Sequence, residues 1–337
     1  MARKTRPDWK GALHHIMVRG IDGKAVFQSE SDKFDLTGRL AELVPELHVS
    51  IYAWAVMPNH LHLLVRTGSE PIYKFMQCLL TGFAVSYNLR NDRKGHVFQG
   101  RFKSILVQEE TYFIQLVKYI HLNPLKAGIV KNINGLEEYR WCGHGSIMGV
   151  RKEPWFNSMY VLSKFGSERG DSISNYLKCI SEKTSNKTLE TMVLGTYSLG
   201  RKGICSTTSE SRCDGLKGNC RVLGNKEFAV RTMNWIKQEG NRIARDREDT
   251  HDRITRLFAW IEDNWGFSAE MIQGNTRNPE LSDSRALIAW VLSNHFGLSQ
   301  SDCSGILRMS RSGIRKAISN GKEIFSDSQI IKEISIW

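Results

Sequence analysis

Residues 49–66, VSIYAWAVMPNHLHLLVR, decide the fold. Val49 to Val56 is rich in β-branched and aromatic residues, and His60 to Arg66 follows with the same character, so both read as strands. Met57-Pro58-Asn59 between them is a turn, which pairs the two strands as neighbours. Working outward, Leu13 to Arg19 (LHHIMVR) reads as an earlier strand. Ser31 to Leu47 carries Phe34, Leu36, Leu40, Leu43 and Leu47 at helical spacing. Downstream, Pro71 to Leu89 is helical with Pro71 in a first-turn position, Arg101 to Val107 is a strand, and Glu110 to Leu122 is a helix that runs into Pro124. The order β-α-β-β-α-β-α predicts an α+β domain over residues 1–145. Its sheet is antiparallel, with packed helices, of the split βαβ (ferredoxin- or RRM-like) kind.

The chain of 337 residues has room for about two domains. Its 41% hydrophobic and 24% charged content excludes collagen-like, wholly disordered and disulfide-stapled classes. Lys plus Arg is 47 against 35 Asp plus Glu, a net +12, which makes a polyanion, most often nucleic acid, the first partner to test. A basic soluble enzyme with no such partner is the plainer alternative. The cysteine count is odd, 7, with no C-x-x-C pair. The spacing of Cys205, Cys213 and Cys220 matches no common zinc pattern, so reduced thiols in a cytoplasmic protein are expected. The opening MARKTRPDWK is basic with no apolar run behind it, so neither a signal peptide nor a membrane span is expected.

Residues 146–250 read as a connecting region, partly helical at Tyr160 to Phe165, Ile173 to Ile180 and Phe228 to Arg247. Within it Gly195 to Gly224, dense in Gly, Ser and Thr, reads as loop or linker. Residues 251–337 read as an all-α domain. Ile254, Leu257, Phe258 and Ile261 share one helical face, and Ser282 to Phe296 is a strong amphipathic helix ending at Gly297. A short helix follows, then Ser310 as N-cap of a helix carrying Arg311, Arg315 and Lys316, which is a helix-turn-helix pattern.

Three places carry chemistry. His60 and His62 share one face of their strand, while Leu61 and Leu63 point into the core. Two imidazoles about 7 Å apart along a strand can converge on one divalent ion; the plainer reading is two surface or hydrogen-bonded histidines. Tyr119 and Asn123 are four apart on one helix face. Taken alone they are a half-buried core tyrosine and a helix-terminal amide before Pro124. His121 falls on another face, and Tyr112 is the second tyrosine of that helix. Arg101 and Lys103 interleave with Phe98 and Phe102, a pattern suited to phosphate contact and base stacking. Period-two alternation instead sends Phe102 to the core and the charges to solvent. Arg3 and Lys4, with Arg6 and Lys10, form a basic arm able to reach phosphates or a groove, or else a solvated tail.

Together MPNHLHLLV, GHVFQGRFKS and YIHLNPLKAGIV resemble the single-tyrosine HUH transposases, specifically the REP-associated tyrosine transposase family, over about residues 10–145. The resemblance implies that His60 and His62 bind a divalent metal, Mg²⁺ or Mn²⁺, with Asn123 as third ligand, and that Tyr119 is the nucleophile. It implies single-stranded DNA, folded as a hairpin or palindromic repeat, as substrate, a 5′-phosphotyrosine intermediate, and a monomer or homodimer. The stretch SRALIAWVLSNHFGLSQSDCSGILRMSRSGIRKAI resembles the DNA-binding domain of the replication initiator DnaA. That implies duplex contacts through Ser310, Arg311, Ser312 and Arg315, without the initiator's sequence preference, because RSGI stands where its signature would be. The reading that combines these is a metal-dependent DNA nickase and strand transferase. Its rivals are a DNA-binding regulator with a relic HUH site, a rolling-circle or conjugation nickase, and an RNA-binding protein on a split βαβ sheet.

Overall fold

The computed structural model describes residues 6–182, 191–192, 195–200, 203–206, 220–274 and 278–325. In chain order the N-terminal elements are β1 (Leu13–Arg19), α1 (Glu30–Glu46), β2 (Ser50–Val56), β3 (His60–Arg66), α2 (Ile72–Arg90), β4 (Lys103–Val107) and α3 (Glu109–His121). Short helices α4 (Asn123–Lys126), α5 (Ile133–Glu138) and α6 (His144–Ile147) follow, then α7 (Ser158–Ser163) and α8 (Arg169–Ser181). The sequence reading of β1 and β3 matches their observed ends, and the other elements of this stretch fall within two residues of theirs.

The strand order β2-β3-β1-β4, antiparallel throughout, is the split βαβ sheet expected. Each strand shows two faces, set by period-two alternation. Ile16, Val18, Leu61 and Leu63 point to the face covered by α1 and α2, where they pack with Leu36, Leu40, Phe75 and Phe83. The other face is covered by α3. Local chemistry fixes both helix starts. Ser29 and Asp32 form a capping box at α1. At α2 the Asp8 carboxylate accepts the Ile72 N–H at 2.6 Å and so caps the helix from 64 residues upstream. The same carboxylate takes the Thr67 hydroxyl at 2.8 Å and stands 3.1 Å from His14 Nε2, which ties the N-terminal segment to the sheet.

The sequence reading of Gly195–Gly224 as loop needs correcting. Its described parts form β5 (Tyr197–Gly200), β6 (Gly203–Ser206) and β7 (Cys220–Leu223). β7 adds to β4 in parallel, and β5 and β6 continue outward to complete one seven-stranded sheet. Four-residue strands in a Gly- and Ser-rich stretch show no periodicity of their own. They form because β4 offers an unpaired edge and because Leu199 and Val222 bury against Ala12, Leu106 and Ala229.

The chain divides into two compact units, residues 1–237 and 238–337. The expected separate region 146–250 therefore does not stand apart up to residue 237. Trp155, Phe156, Val161, Leu162, Tyr176 and Ile180 all bury in the N-terminal core. The division falls inside a single helix, α9 (Lys226–Trp265), where the sequence suggested two; the intervening EDTHDR contains no helix breaker.

The second unit continues with α10 (Ala269–Gln273), α11 (Pro279–Asn294), α12 (Gln300–Leu307) and α13 (Arg311–Phe325) around Leu257, Ile261, Leu287, Val291, Leu307 and Ile314. Arg308 in the left-handed region ends α12, and Ser310 Oγ accepts the Gly313 N–H at 3.1 Å to start α13. Gly321 lets α13 lie directly on α11, for a Cβ there would stand 2.2 Å from the Ala286 carbonyl oxygen. Among the described residues no helix is long and apolar enough to cross a membrane, and Cys78, Cys142, Cys179 and Cys303 are free thiols.

Candidate active site

The site is built where the C-terminal half of α3 crosses β3 and β1. Two contacts set the register of that crossing. At one end Arg66, closing β3, pairs with Glu109 in the first turn of α3, and Tyr160 bonds both. At the other end the Tyr119 ring stands edge-on to His62 at 5.7 Å between centroids. From Glu109 to Tyr119 a helix rises about 15 Å, and from Arg66 back to His62 a strand spans about 13 Å. The two elements run in opposite directions with matched lengths, so anchoring one end places Tyr119 over His62.

His60 and His62 lie on one face, as period two requires, with ring centroids 5.0 Å apart. His62 is buried and His60 is half-buried. A third histidine completes the group. Met17 pairs with His62 and His15 with Leu64, so His15 shares the face of His62 one diagonal step away. Its Nε2 lies 3.0 Å from His62 Nδ1 and its ring stacks on that of His62 at 5.3 Å. Tyr119 also meets His15 edge-on, at 5.8 Å. The sequence reading missed His15. The period-two signal was present in LHHIMVR, but which of His14 and His15 meets His62 depends on a register that sequence alone does not specify.

Around Tyr119 the field is positive. Lys126 Nζ stands 4.8 Å from the Tyr119 ring centroid, and burial, then Lys118, lowers its pKa to about 8. Sequence reasoning also passed over Lys126, whose signal was its position two helical turns beyond Tyr119. Burial pushes the Tyr119 hydroxyl above its ordinary value, and the Asn123 amide draws it part of the way back. Asn123 donates through Nδ2 to the Tyr119 carbonyl at 2.8 Å, closing α3 and leaving Oδ1 as its remaining acceptor. Lys103 pairs with Met17, which places it on the face of His62 at the exposed end of β4. Arg101 is exposed beside Arg6.

Other expected residues are placed elsewhere. The rings of Phe98 and Phe102 make packing contacts within the fold. Phe98 packs on Phe27 and Phe83 at 6.1 and 5.7 Å, on the α2 side of the sheet. Phe102 is buried under the Arg6 guanidinium, 4.0 Å from its centroid, and its carbonyl takes a 2.7 Å bond from Arg6. Tyr112 is half-buried against the N-terminal core, and burial, then Tyr197, raises the pKa of its hydroxyl. His121 faces away from Tyr119 into a buried cluster, where the Tyr176 hydroxyl bonds both His121 Nδ1 at 2.9 Å and His144 Nδ1 at 2.7 Å. Arg3 and Lys4 lie outside the described residues. In the second unit Ser310, Arg311, Ser312 and Arg315 are all exposed on one side of the turn and the first helical turns of α13, while Ile314 and Ala317 bury.

The donor chemistry suits a divalent ion. His60 Nδ1 is 2.7 Å from Asn59 Oδ1 and His62 Nδ1 is 3.0 Å from His15 Nε2, so these bonds engage Nδ1 of each ring and not Nε2. Burial first, then the charges of His15, His60 and Lys126, hold His62 well below its ordinary pKa. Burial and then Arg19 lower His60. Both rings are therefore neutral and nucleophilic near pH 7, the state in which imidazole ligates metals. Among the described residues no three His, Cys, Asp or Glu side chains gather as a metal group.

These buried histidines make stability depend on pH. Burial lowers both His15 and His144 to about 4. Above pH 6.5 both are neutral folded and unfolded and contribute no slope. Between about pH 6.5 and 4 the unfolded chain takes protons that the folded chain refuses, so stability falls as pH falls. Each of the two costs about 2 kcal/mol by pH 5, against a typical total of about 5–15 kcal/mol. The denaturation midpoint in chelator is expected to drop between pH 7.5 and 5; a midpoint unchanged across that window means that these rings are protonated in the fold.

Residues 9–123 match the family model described as Transposase IS200 like. Two solved structures resemble parts of the chain. One is a REP-associated tyrosine transposase bound to a REP hairpin, 19% identical over 46% of this chain and 91% of that one, with a TM-score of 0.38. The other is a protein of Deinococcus radiodurans R1 assigned as a transposase, 20% identical over 35% of this chain and 95% of that one, with a TM-score of 0.25. No curated protein sequence matches the chain.

Proposed function

From the premise that residues 9–123 form an IS200-like transposase domain, we propose that the chain cuts and rejoins single DNA strands through a covalent bond to Tyr119. The observation that carries this is the approach of the Tyr119 ring to His62, 5.7 Å between centroids, on the same face as His60. A tyrosine hydroxyl, two imidazoles engaged through Nδ1 and a surrounding of Lys103 and Lys126 form a group suited to attack on a phosphodiester.

In that reaction Tyr119 Oη attacks phosphorus in line and loses its proton, while the bond from phosphorus to the 3′ oxygen breaks and that oxygen gains a proton. The products are a 5′-phosphotyrosine and a free 3′-OH. The phosphotyrosyl bond keeps the ester's energy, so a second 3′-OH reverses the step and joins strands without a nucleotide cofactor. His60 Nε2, His62 Nε2 and Asn123 Oδ1 would hold the cation, Mg²⁺ or Mn²⁺. Bound there, it supplies Lewis-acid polarisation and orientation of the scissile phosphate. Lys126 places positive charge beside the ring as the phenolate forms, and Lys103 and Arg101 hold flanking phosphates. A lone nucleophile cuts one strand at a time, so the substrate is single-stranded DNA, presented as a hairpin or palindromic repeat. In the second unit Ser310, Arg311, Ser312 and Arg315 contact duplex DNA and bring the first unit to its target.

The test is to incubate the protein with single-stranded hairpin oligonucleotides from the DNA flanking its own gene, with Mg²⁺ or Mn²⁺, and resolve the products under denaturing conditions. A denaturant-resistant adduct is expected on the fragment 3′ of the cut, joined through its 5′ phosphate, with a free 3′-OH on the other fragment. Tight binding with no adduct on every flanking hairpin would overturn the reading in favour of a DNA-binding regulator.

A further inference from the structure

We propose that His15 is a positioning residue that fixes the ring tautomer of His62, relaying a constraint from the Met192 carbonyl so that His62 Nε2 stays unprotonated. The inference rests on the reading of His62 as a cation ligand, but its geometry stands separately. His15 Nδ1 lies 3.0 Å from the carbonyl oxygen of Met192, and His15 Nε2 lies 3.0 Å from His62 Nδ1. His15, His62 and Met192 are all buried.

The direction of each bond follows from valence. A carbonyl oxygen only accepts, so His15 Nδ1 carries the hydrogen. A neutral imidazole has one N–H, so His15 Nε2 is bare and accepts. His62 Nδ1 then has to donate, and His62 Nε2 is left as a lone pair. No carboxylate stands in this chain of bonds, and burial without a counter-charge keeps both rings neutral. A second, local device brings His60 to the same state. Asn59 Nδ2 donates to the Gly23 carbonyl at 3.3 Å, which fixes the amide so that Oδ1 faces His60. That oxygen, 2.7 Å from His60 Nδ1, accepts its hydrogen and leaves His60 Nε2 bare. Two unrelated devices thus present both histidines of the pair through the same nitrogen. A metal-bound histidine commonly owes its tautomer and orientation to the partner of its other nitrogen. Here that partner for His62 is another imidazole, held by a carbonyl from a segment 69 residues beyond the matched family region.

The experiment reads ring ¹⁵N shifts of His62 by NMR in the full, metal-free chain, and Mn²⁺ affinity by titration of Mn²⁺ alone. Wild-type protein is expected to show His62 protonated at Nδ1 and bare at Nε2. His15→Leu, which cannot accept, is expected to give a mixture of tautomers and an Mn²⁺ dissociation constant raised about tenfold or more. His15→Gln, which offers an acceptor oxygen, is expected to restore both. An Nε2–H tautomer in wild-type protein overturns the inference. So does a His15→Leu protein with unchanged shifts and Mn²⁺ affinity. Should His15→Leu fail to fold, the wild-type shifts and the Gln variant decide the matter in the same two directions. An Nδ1–H tautomer that depends on His15, in a protein that binds no Mn²⁺, supports the relay and overturns only the cation reading.

Discussion

Replacing Tyr119 with phenylalanine removes the covalent adduct and leaves hairpin binding within about twofold of wild type. The change deletes one oxygen and little else. The phenyl ring keeps its edge contacts with His15 and His62 and its place under Lys126, and the Asn123 bond that closes α3 goes to the backbone carbonyl of residue 119. What the hydroxyl itself gives up is its interaction with the Asn123 amide. The loss is therefore one of chemistry, and by analogy with nucleophile deletions elsewhere its size is on the order of 10³-fold or more. Tyr112→Phe is the matched control, because among the two tyrosines of α3 it is the Tyr119 ring that meets His15 and His62, and the loss of the Tyr112 hydroxyl should leave adduct yield unchanged. An adduct surviving in Tyr119→Phe at wild-type yield sinks the nucleophile assignment. An adduct lost instead in Tyr112→Phe moves it to the other tyrosine.

The sheet and the pair His60 and His62 were legible because their signals are local. β3 is a seven-residue strand after a three-residue turn, and its opening His-Leu-His-Leu alternates, so its limits and the face of the two histidines follow from sequence. The spacing of Tyr119 to Asn123 made their closeness legible, whereas the role proposed for Tyr119 came from the family resemblance alone. His15 and Met192 were not legible, since they meet His62 only through strand register and a distant segment. The strands β5 to β7 hide for a related reason, as their hydrogen bonds and burial come from the edge of β4 rather than from their own residues. The packing of Phe98 and Phe102 was not legible, because an aromatic beside a cation looks alike in sequence whether it faces solvent or, as Phe102 does, lies under the Arg6 guanidinium.

Removing the divalent ion, or the imidazoles proposed to hold it, should be the second large effect, and it separates from the first by what each leaves intact. Chelation, or the double variant His60→Ala with His62→Ala, is expected to lower the adduct rate by on the order of 10²–10³-fold, the scale on which electrostatic stabilisation of a developing charge is lost. Tyr119→Phe should bind Mn²⁺ as well as wild type, whereas the double alanine variant should not bind it, although both bind the hairpin. The identity of the donors also predicts an order among metals. Imidazole suits Mn²⁺ better than Mg²⁺, and Asn123 adds only a neutral oxygen, so half-maximal adduct formation should need less Mn²⁺ than Mg²⁺. The double variant should lose that preference together with the rate. Adduct formation at full rate in chelator would show that the lysines beside Tyr119 suffice to carry the phosphate charge, and His60 and His62 would then have to be read through the hydrogen bonds they make with Asn59 and His15.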